Sequence, residues 1–135
     1  MPNLSSLPNQ NEYTSVMEFP VSLGETDIIE IYAFYDIPVL FLCESMTHNA
    51  LYIATAADED ETHETWLFLK ISRPQLAQLK SNEIDLYTAF KENQEHQLIQ
   101  FNQHRKEPLK STETLIKDNS ISDHLIPIPN TYLTN

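Results

Sequence analysis

The residues Asp58-Glu59-Asp60-Glu61-Thr62-His63-Glu64 form the densest group of chemically competent side chains in this chain, with five carboxylates and an imidazole in seven residues. Such a run could hold a divalent cation, or drive metal-assisted hydrolysis with His63 flanked by Glu61 and Glu64. The spacing argues against a dedicated site. An EF-hand loop sets its acids at alternating positions around a central glycine, whereas these acids are consecutive and no glycine is among them. A solvated loop between two strands is the plainer reading, and calcium or magnesium bound there would be incidental.

The other reactive residues are scattered. His48, His63, His96, His104 and His124 form no His-x-x-x-His or His-Glu-x-x-His pair, so zinc is unsupported. Cys43 lies inside an apolar run. Core packing suits it better than nucleophilic chemistry, which needs exposure and a neighbouring base. The single glycine, Gly24, leaves no phosphate-binding loop and no Gly-x-Ser-x-Gly elbow. No catalytic residue, metal site or cofactor is nominated.

The elements around the acidic run follow from the apolar pattern. Val39–Cys43, Leu51–Thr55 and Trp66–Ile71 are short apolar runs rich in strand formers, as expected of strands buried on nearly both faces. Ile28–Tyr35 is a fourth candidate, and Asp36-Ile37-Pro38 stops anything helical before Val39, because proline disfavours helical geometry in the residue before it. Ser45–Asn49 is a polar link of hairpin size, and Asp58–Glu64 a longer one. His96–Asn102 alternates well enough for a strand at the sheet edge. After the strands the period changes. Ser72 with Pro74 opens one short helix carrying Leu76 and Leu79, and Asp85 opens a second carrying Leu86, Ala89 and Phe90. The expected fold is α+β: an antiparallel meander sheet of about four to six strands, with two short helices packed on one face.

The organisation is one domain with tails. Residues 1–15 read as a flexible N-terminal segment, and residues 16–102 as the α+β domain. Residues 103–135 read as a C-terminal extension, partly helical or extended. Val16–Val21 is an edge-strand candidate limited by Pro20. Ser111–Lys117 is expected to be helical, and Ser120–Asp123 resembles a capping box. The stretch 125–133 is apolar, but Pro127 and Pro129 bar it from a central strand. It is expected to pack in extended form along the domain or to dock on a partner. The longest apolar stretch, Ile37–Cys43, is far short of a membrane span, and the start lacks a signal-peptide pattern. With one thiol and no disulfide, a soluble cytoplasmic protein is expected.

Tyr35-Asp36-Ile37-Pro38-Val39-Leu40-Phe41-Leu42, then Leu51-Tyr52-Ile53, Trp66-Leu67-Phe68-Leu69, Ser72 with Leu76 and Leu79, and Ile84-Asp85-Leu86 with Ala89-Phe90, resemble a small bacterial domain family of unknown function. The resemblance covers residues 28–92. It implies a bacterial or phage source and an α+β fold, and no activity. Family members usually have glycine in the turns. Asn49 and Asn82 are expected to take those places here, since Asn tolerates left-handed geometry.

Charge is the most informative feature. Residues 1–69 contain twelve Asp or Glu and no Lys or Arg, whereas residues 70–135 contain eight of each sign. The net charge of −12 therefore arises in the strand half. Such a surface attracts basic partners and repels nucleic acid and anionic membrane. Tyr32, Phe34, Tyr35, Phe41, Tyr52, Trp66 and Phe68 line the strands. Stacking of single-stranded nucleic acid would also need a basic groove, so these aromatics are core or interface.

The expected function is a non-enzymatic interaction protein that binds a basic partner protein, of the immunity, antitoxin or defence-system subunit or inhibitor kind. Nucleic-acid mimicry is a special case. The contact residues would be Asp58, Glu59, Asp60, Glu61 and Glu64, supported by Glu25, Asp27, Glu30, Asp36 and Glu44. A metal-dependent hydrolase near His63 and a domain that self-associates through its sheet edge are the alternatives.

Overall fold

The structure, a computed structural model, describes residues 13–14, 17–92, 98–116 and 121–134. The rest of the expected N-terminal segment, His96, Gln97, Lys117 and Ser120 lie outside the described residues. A six-stranded antiparallel meander runs in the order β1-β2-β3-β4-β5-β6. The strands are β1 (Thr26–Tyr35), β2 (Ile37–Ser45), β3 (Ala50–Glu59), β4 (His63–Ile71), β5 (Leu98–His104) and β6 (Thr112–Ile116). Helices α1 (Arg73–Lys80) and α2 (Leu86–Lys91) follow β4. This is the α+β architecture that the apolar pattern predicts.

The central strands are buried on both sides, which explains their unbroken apolar runs. Leu40, Leu42, Leu51, Ile53, Leu67 and Leu69 face one core with Leu79, Leu86 and Phe90 of the helices. Phe41, Cys43, Tyr52, Ala54, Trp66 and Phe68 face a second core, covered by Met17, Phe19 and Leu23. Burial pushes the Cys43 thiol well above its ordinary pKa.

The helices start where their caps predict. The Ser72 hydroxyl accepts from the Gln75 N–H at 3.3 Å, while Gln75 Oε1 accepts from the Ser72 N–H at 2.9 Å. Asp85 accepts from the Thr88 N–H at 2.8 Å. Its other oxygen accepts from the Asn130 N–H, also at 2.8 Å, which ties the C-terminal stretch to α2. The Thr88 side chain and these N–H groups hold the Asp85 carboxyl below the usual range. Gly24 sits at φ +64°, and a Cβ there would fall 2.2 Å from Thr47 Oγ1. Asn49 (φ 51°) and Asn82 (φ 62°) take left-handed turns as expected, and Asp36 (φ 61°) and Asn130 (φ 69°) do the same.

Several local expectations are corrected. The stretch expected to be helical over 111–117 forms β6, since the outer edge of β5 offers unpaired backbone groups and Thr112 and Thr114 suit a strand. It follows that β5 is internal, where an edge strand was expected. Among the described residues of 16–21 there is no strand: Met17 and Phe19 pack across the second core, and Val21–Leu23 makes a 3-10 turn after Pro20. Of the stretch 125–133, Ile126 and Leu133 are buried in the first core, as is Ile121 before it, with a 3-10 turn at Asp123–Leu125 and a further turn at 129–130, so it packs on the domain by turns and not as one extended segment.

The Asp85 contacts carry a pH signature. A depressed native pKa gives stability that is fully present above the ordinary carboxyl range near pH 4 and is lost as pH falls through the lower native value. Asp85→Asn keeps a capping oxygen but not the charge. In urea unfolding the variant should be less stable than the parent at pH 7, and the gap should narrow steadily below pH 4. A gap independent of pH would show that the Asp85 charge is not what ties the tail.

Candidate functional site

Because neighbouring strands are antiparallel, the β1–β2, β3–β4 and β5–β6 connections share one end of the sheet. Asp36 forms the first of these turns. Asp60 organises the second: its Oδ1 accepts from the N–H groups of Thr62 (2.8 Å) and His63 (2.7 Å), and its own N–H donates to the His63 carbonyl at 2.8 Å. The His63 N–H, then that of Thr62, holds the Asp60 carboxyl below its ordinary range. This compact Asx-type turn lets pairing continue to Glu59 opposite Glu64. The long link expected from Asp58 to Glu64 is therefore corrected to Asp60–Thr62, with Asp58 and Glu59 closing β3 and His63 and Glu64 opening β4.

Between these turns lies a cleft of about 540 Å³. Asp36, Asp58, Glu59 and Glu64 line it with Tyr35 and Trp66, and Ile37, Val39, Ala56 and Ala57 add apolar wall. Tyr35 is 79% exposed, an unusual setting for an aromatic ring at a strand end. Trp66 is 2% exposed, and its indole N–H meets no acceptor among the described residues. Carboxylates beside aromatic faces suit a cation with an organic stem.

Folding also delivers counter-charge. The Arg105 N–H donates to the Thr62 carbonyl at 2.8 Å. Its guanidinium lies 2.5 Å from Glu59 Oε2 and 4.0 Å from Glu64 Oε1. Arg105 is set by His104, whose Nδ1 accepts from the N–H groups of Lys106 (3.2 Å) and Glu107 (2.9 Å). His104 pairs across the strands with His63, ring centroids 4.9 Å apart, and His63 Nδ1 lies 2.8 Å from Thr62 Oγ1. Among the described residues no three His, Cys, Asp or Glu side chains are grouped to hold a metal ion.

The remaining nominated acids lie elsewhere. Glu30 pairs with Lys80 at 3.3 Å, and its carboxyl is lowered first by the Tyr32 hydroxyl and then by Lys80. Glu25, Asp27 and Glu44 occupy the opposite end of the sheet, where Asp27 faces Glu44 in register and Glu44 shares a hollow with Lys70 and Arg73. Those three are not brought together with Asp58–Glu64, whereas Asp36 is. In the sequence Tyr35 and Trp66 read only as core or interface, and nothing local marks Arg105 as a neighbour of the acidic run. Extending the β4–β5 pairing from Trp66 out to His63 would have placed His104, and so Arg105, beside the acidic turn.

A family model matches residues 15–130 of the 135-residue chain. The chain belongs to DUF6575, a family of unknown function. No curated protein and no solved structure matches it. This DUF6575 domain has no helix among its described residues that is long and apolar enough to cross a membrane.

With side chains 38% and 70% exposed, the Arg105–Glu59 pair should contribute little to folding. Arg105→Gln is expected to shift the unfolding free energy by less than about 1 kcal/mol in urea titration. A larger loss would make Arg105 a structural strut of the turn and not a counter-charge at the cleft.

Proposed function

We propose that this DUF6575 protein is a non-enzymatic binding module that captures a basic partner protein at the acidic end of its sheet. The observation that carries the reading is the cleft, which four carboxylates, Asp36 at one turn and Asp58, Glu59 and Glu64 on the strands flanking the next, line together with Tyr35 and Trp66. The carboxylates of Asp36, Asp58, Glu59, Asp60, Glu61 and Glu64, clustered at this end, steer a cationic surface toward it, and the cleft supplies the short-range contact. The protein would act by occlusion, in the manner of an immunity protein, an antitoxin or a defence-system subunit or inhibitor. The central contacts are Asp36, Asp58, Glu59 and Glu64. Asp60 serves the turn itself, and Glu61 adds exposed charge beside it.

Affinity capture from host lysate tests this, using the parent and the Asp36→Asn/Asp58→Asn variant. Salt of about 0.1 M and about 1 M shortens the screening length from about 10 Å to about 3 Å. The parent should retain one basic protein at the lower salt and release it at the higher, and the variant should fail to retain it at either. Capture that ignores both salt and the substitutions would overturn the proposal.

A further inference from the structure

His104 holds the β5–β6 connection together through one ring nitrogen. Its Nδ1 accepts from the N–H groups of Lys106 (3.2 Å) and Glu107 (2.9 Å), and its own backbone N–H donates to Ser111 Oγ at 2.8 Å. The 3-10 turn at Pro108–Lys110 and the Lys110–Glu107 ion pair (2.6 Å) complete the loop. A ring nitrogen that accepts carries no proton, so the closed loop admits only the neutral ring protonated at Nε2. A proton on Nδ1 would turn the acceptor into a donor facing two donors. His63, whose ring centroid lies 4.9 Å away, differs. The Thr62 hydroxyl donates to Asp60 Oδ1 at 3.1 Å, which leaves His63 Nδ1 to donate to Thr62 Oγ1 at 2.8 Å. His63 can therefore take a second proton, on Nε2, without losing a bond, and that proton adds positive charge beside His104.

We propose that His104 is a proton-operated latch on the β5–β6 connection. As the neutral ring it closes residues 105–107 and delivers the Arg105 guanidinium to Glu59 and Glu64. As the imidazolium it releases the N–H groups of Lys106 and Glu107, and Arg105 loses its fixed position. The surrounding charges act on both states. Glu59 of β3, Asp60 and Glu61 of the β3–β4 turn, Glu64 of β4 and Glu107 of the connection are acidic. His63, Arg105, Lys106 and Lys110 oppose them, while Glu113 of β6 is met by the Ser22 N–H at 3.4 Å. Carboxylates favour a charged ring and the closed loop excludes one, so the two demands cannot be met in a single arrangement. Opening leaves Glu59 and Glu64 without their guanidinium. Falling pH thus unmasks carboxylates at the cleft, whatever the acidic end binds.

Solvent exchange of the Lys106 and Glu107 amides reads the latch. It is measured by NMR on the full-length protein and corrected for the intrinsic pH dependence of amide exchange. The range from about pH 8 to about pH 5.5 titrates histidines and leaves ordinary carboxylates ionised. Across it the protection of both amides should fall about tenfold, the upper range of one hydrogen bond, while that of Ile53 in the central sheet stays constant. At the upper pH the ring nitrogen shifts should show His104 protonated at Nε2 and bare at Nδ1. His104→Asn sets an amide oxygen where Nδ1 stands, an acceptor that does not titrate in this range. Checked for folding by circular dichroism, it should keep both amides protected at both pH values. Constant protection in the parent, a proton on Nδ1 at the upper pH, or an equal loss in folded His104→Asn would overturn the latch. If the variant's turn is open at both pH values, the parent decides. One midpoint shared by the His104 ring and both amides supports the latch, and separate midpoints refute it.

Discussion

The fold depends on burial of its central strands from both sides. Phe41 and Phe68 point into one core while Leu42, Ile53 and Leu67 point into the other, and all are close to fully buried. Each such side chain contributes roughly 1.5–3 kcal/mol relative to exposure, so neither face can stay open to water. That constraint recruits the rest of the chain. Helices α1 and α2 and the stretch through Leu133 cover one face. Met17, Phe19 and Leu23 cover the other, where Phe19 meets Phe41 and Phe68 edge-on at 6.3 Å.

With both faces covered, polar chemistry is left to the edges and ends. The edges are poor templates for pairing. β1 shifts register between Ile28 and Glu30 and again near Ala33, and β6 spans only Thr112–Ile116. The turns are where carboxylates stay solvated, and the meander sets three connections side by side. The acidic turns thus gain a neighbour from the other half of the chain. The charge asymmetry along the sequence is partly mixed in space, because the β5–β6 connection returns Arg105 to Glu59.

Much of the fold was legible because local and global signals agreed. Two-sided burial wrote itself into Val39–Cys43, Leu51–Thr55 and Trp66–Ile71 as unbroken apolar runs, and Ser72 and Asp85 cap the helices that follow. The failures have tertiary causes. The strand at Thr112–Ile116 has no apolar run of its own, and it forms because β5 offers an edge. The segment at Met17–Pro20 is drawn across a hydrophobic face in place of pairing. The acidic run was visible by composition, but its division between two strands depended on the Asp60 turn. That Asp36 would join Asp58 and Glu64 while Glu25, Asp27 and Glu44 would not is a matter of strand direction, which charge counting ignores.

The claim that the acidic end is the contact surface is tested most directly by amide hydrogen exchange on the protein alone and in complex with the partner it captures. The account predicts added protection at residues 35–37, 57–65 and 104–107, with no change across residues 44–49 at the far end. Protection confined to the outer edge of β1 or to residues 44–49, with the acidic turns exchanging as in the free protein, would contradict it.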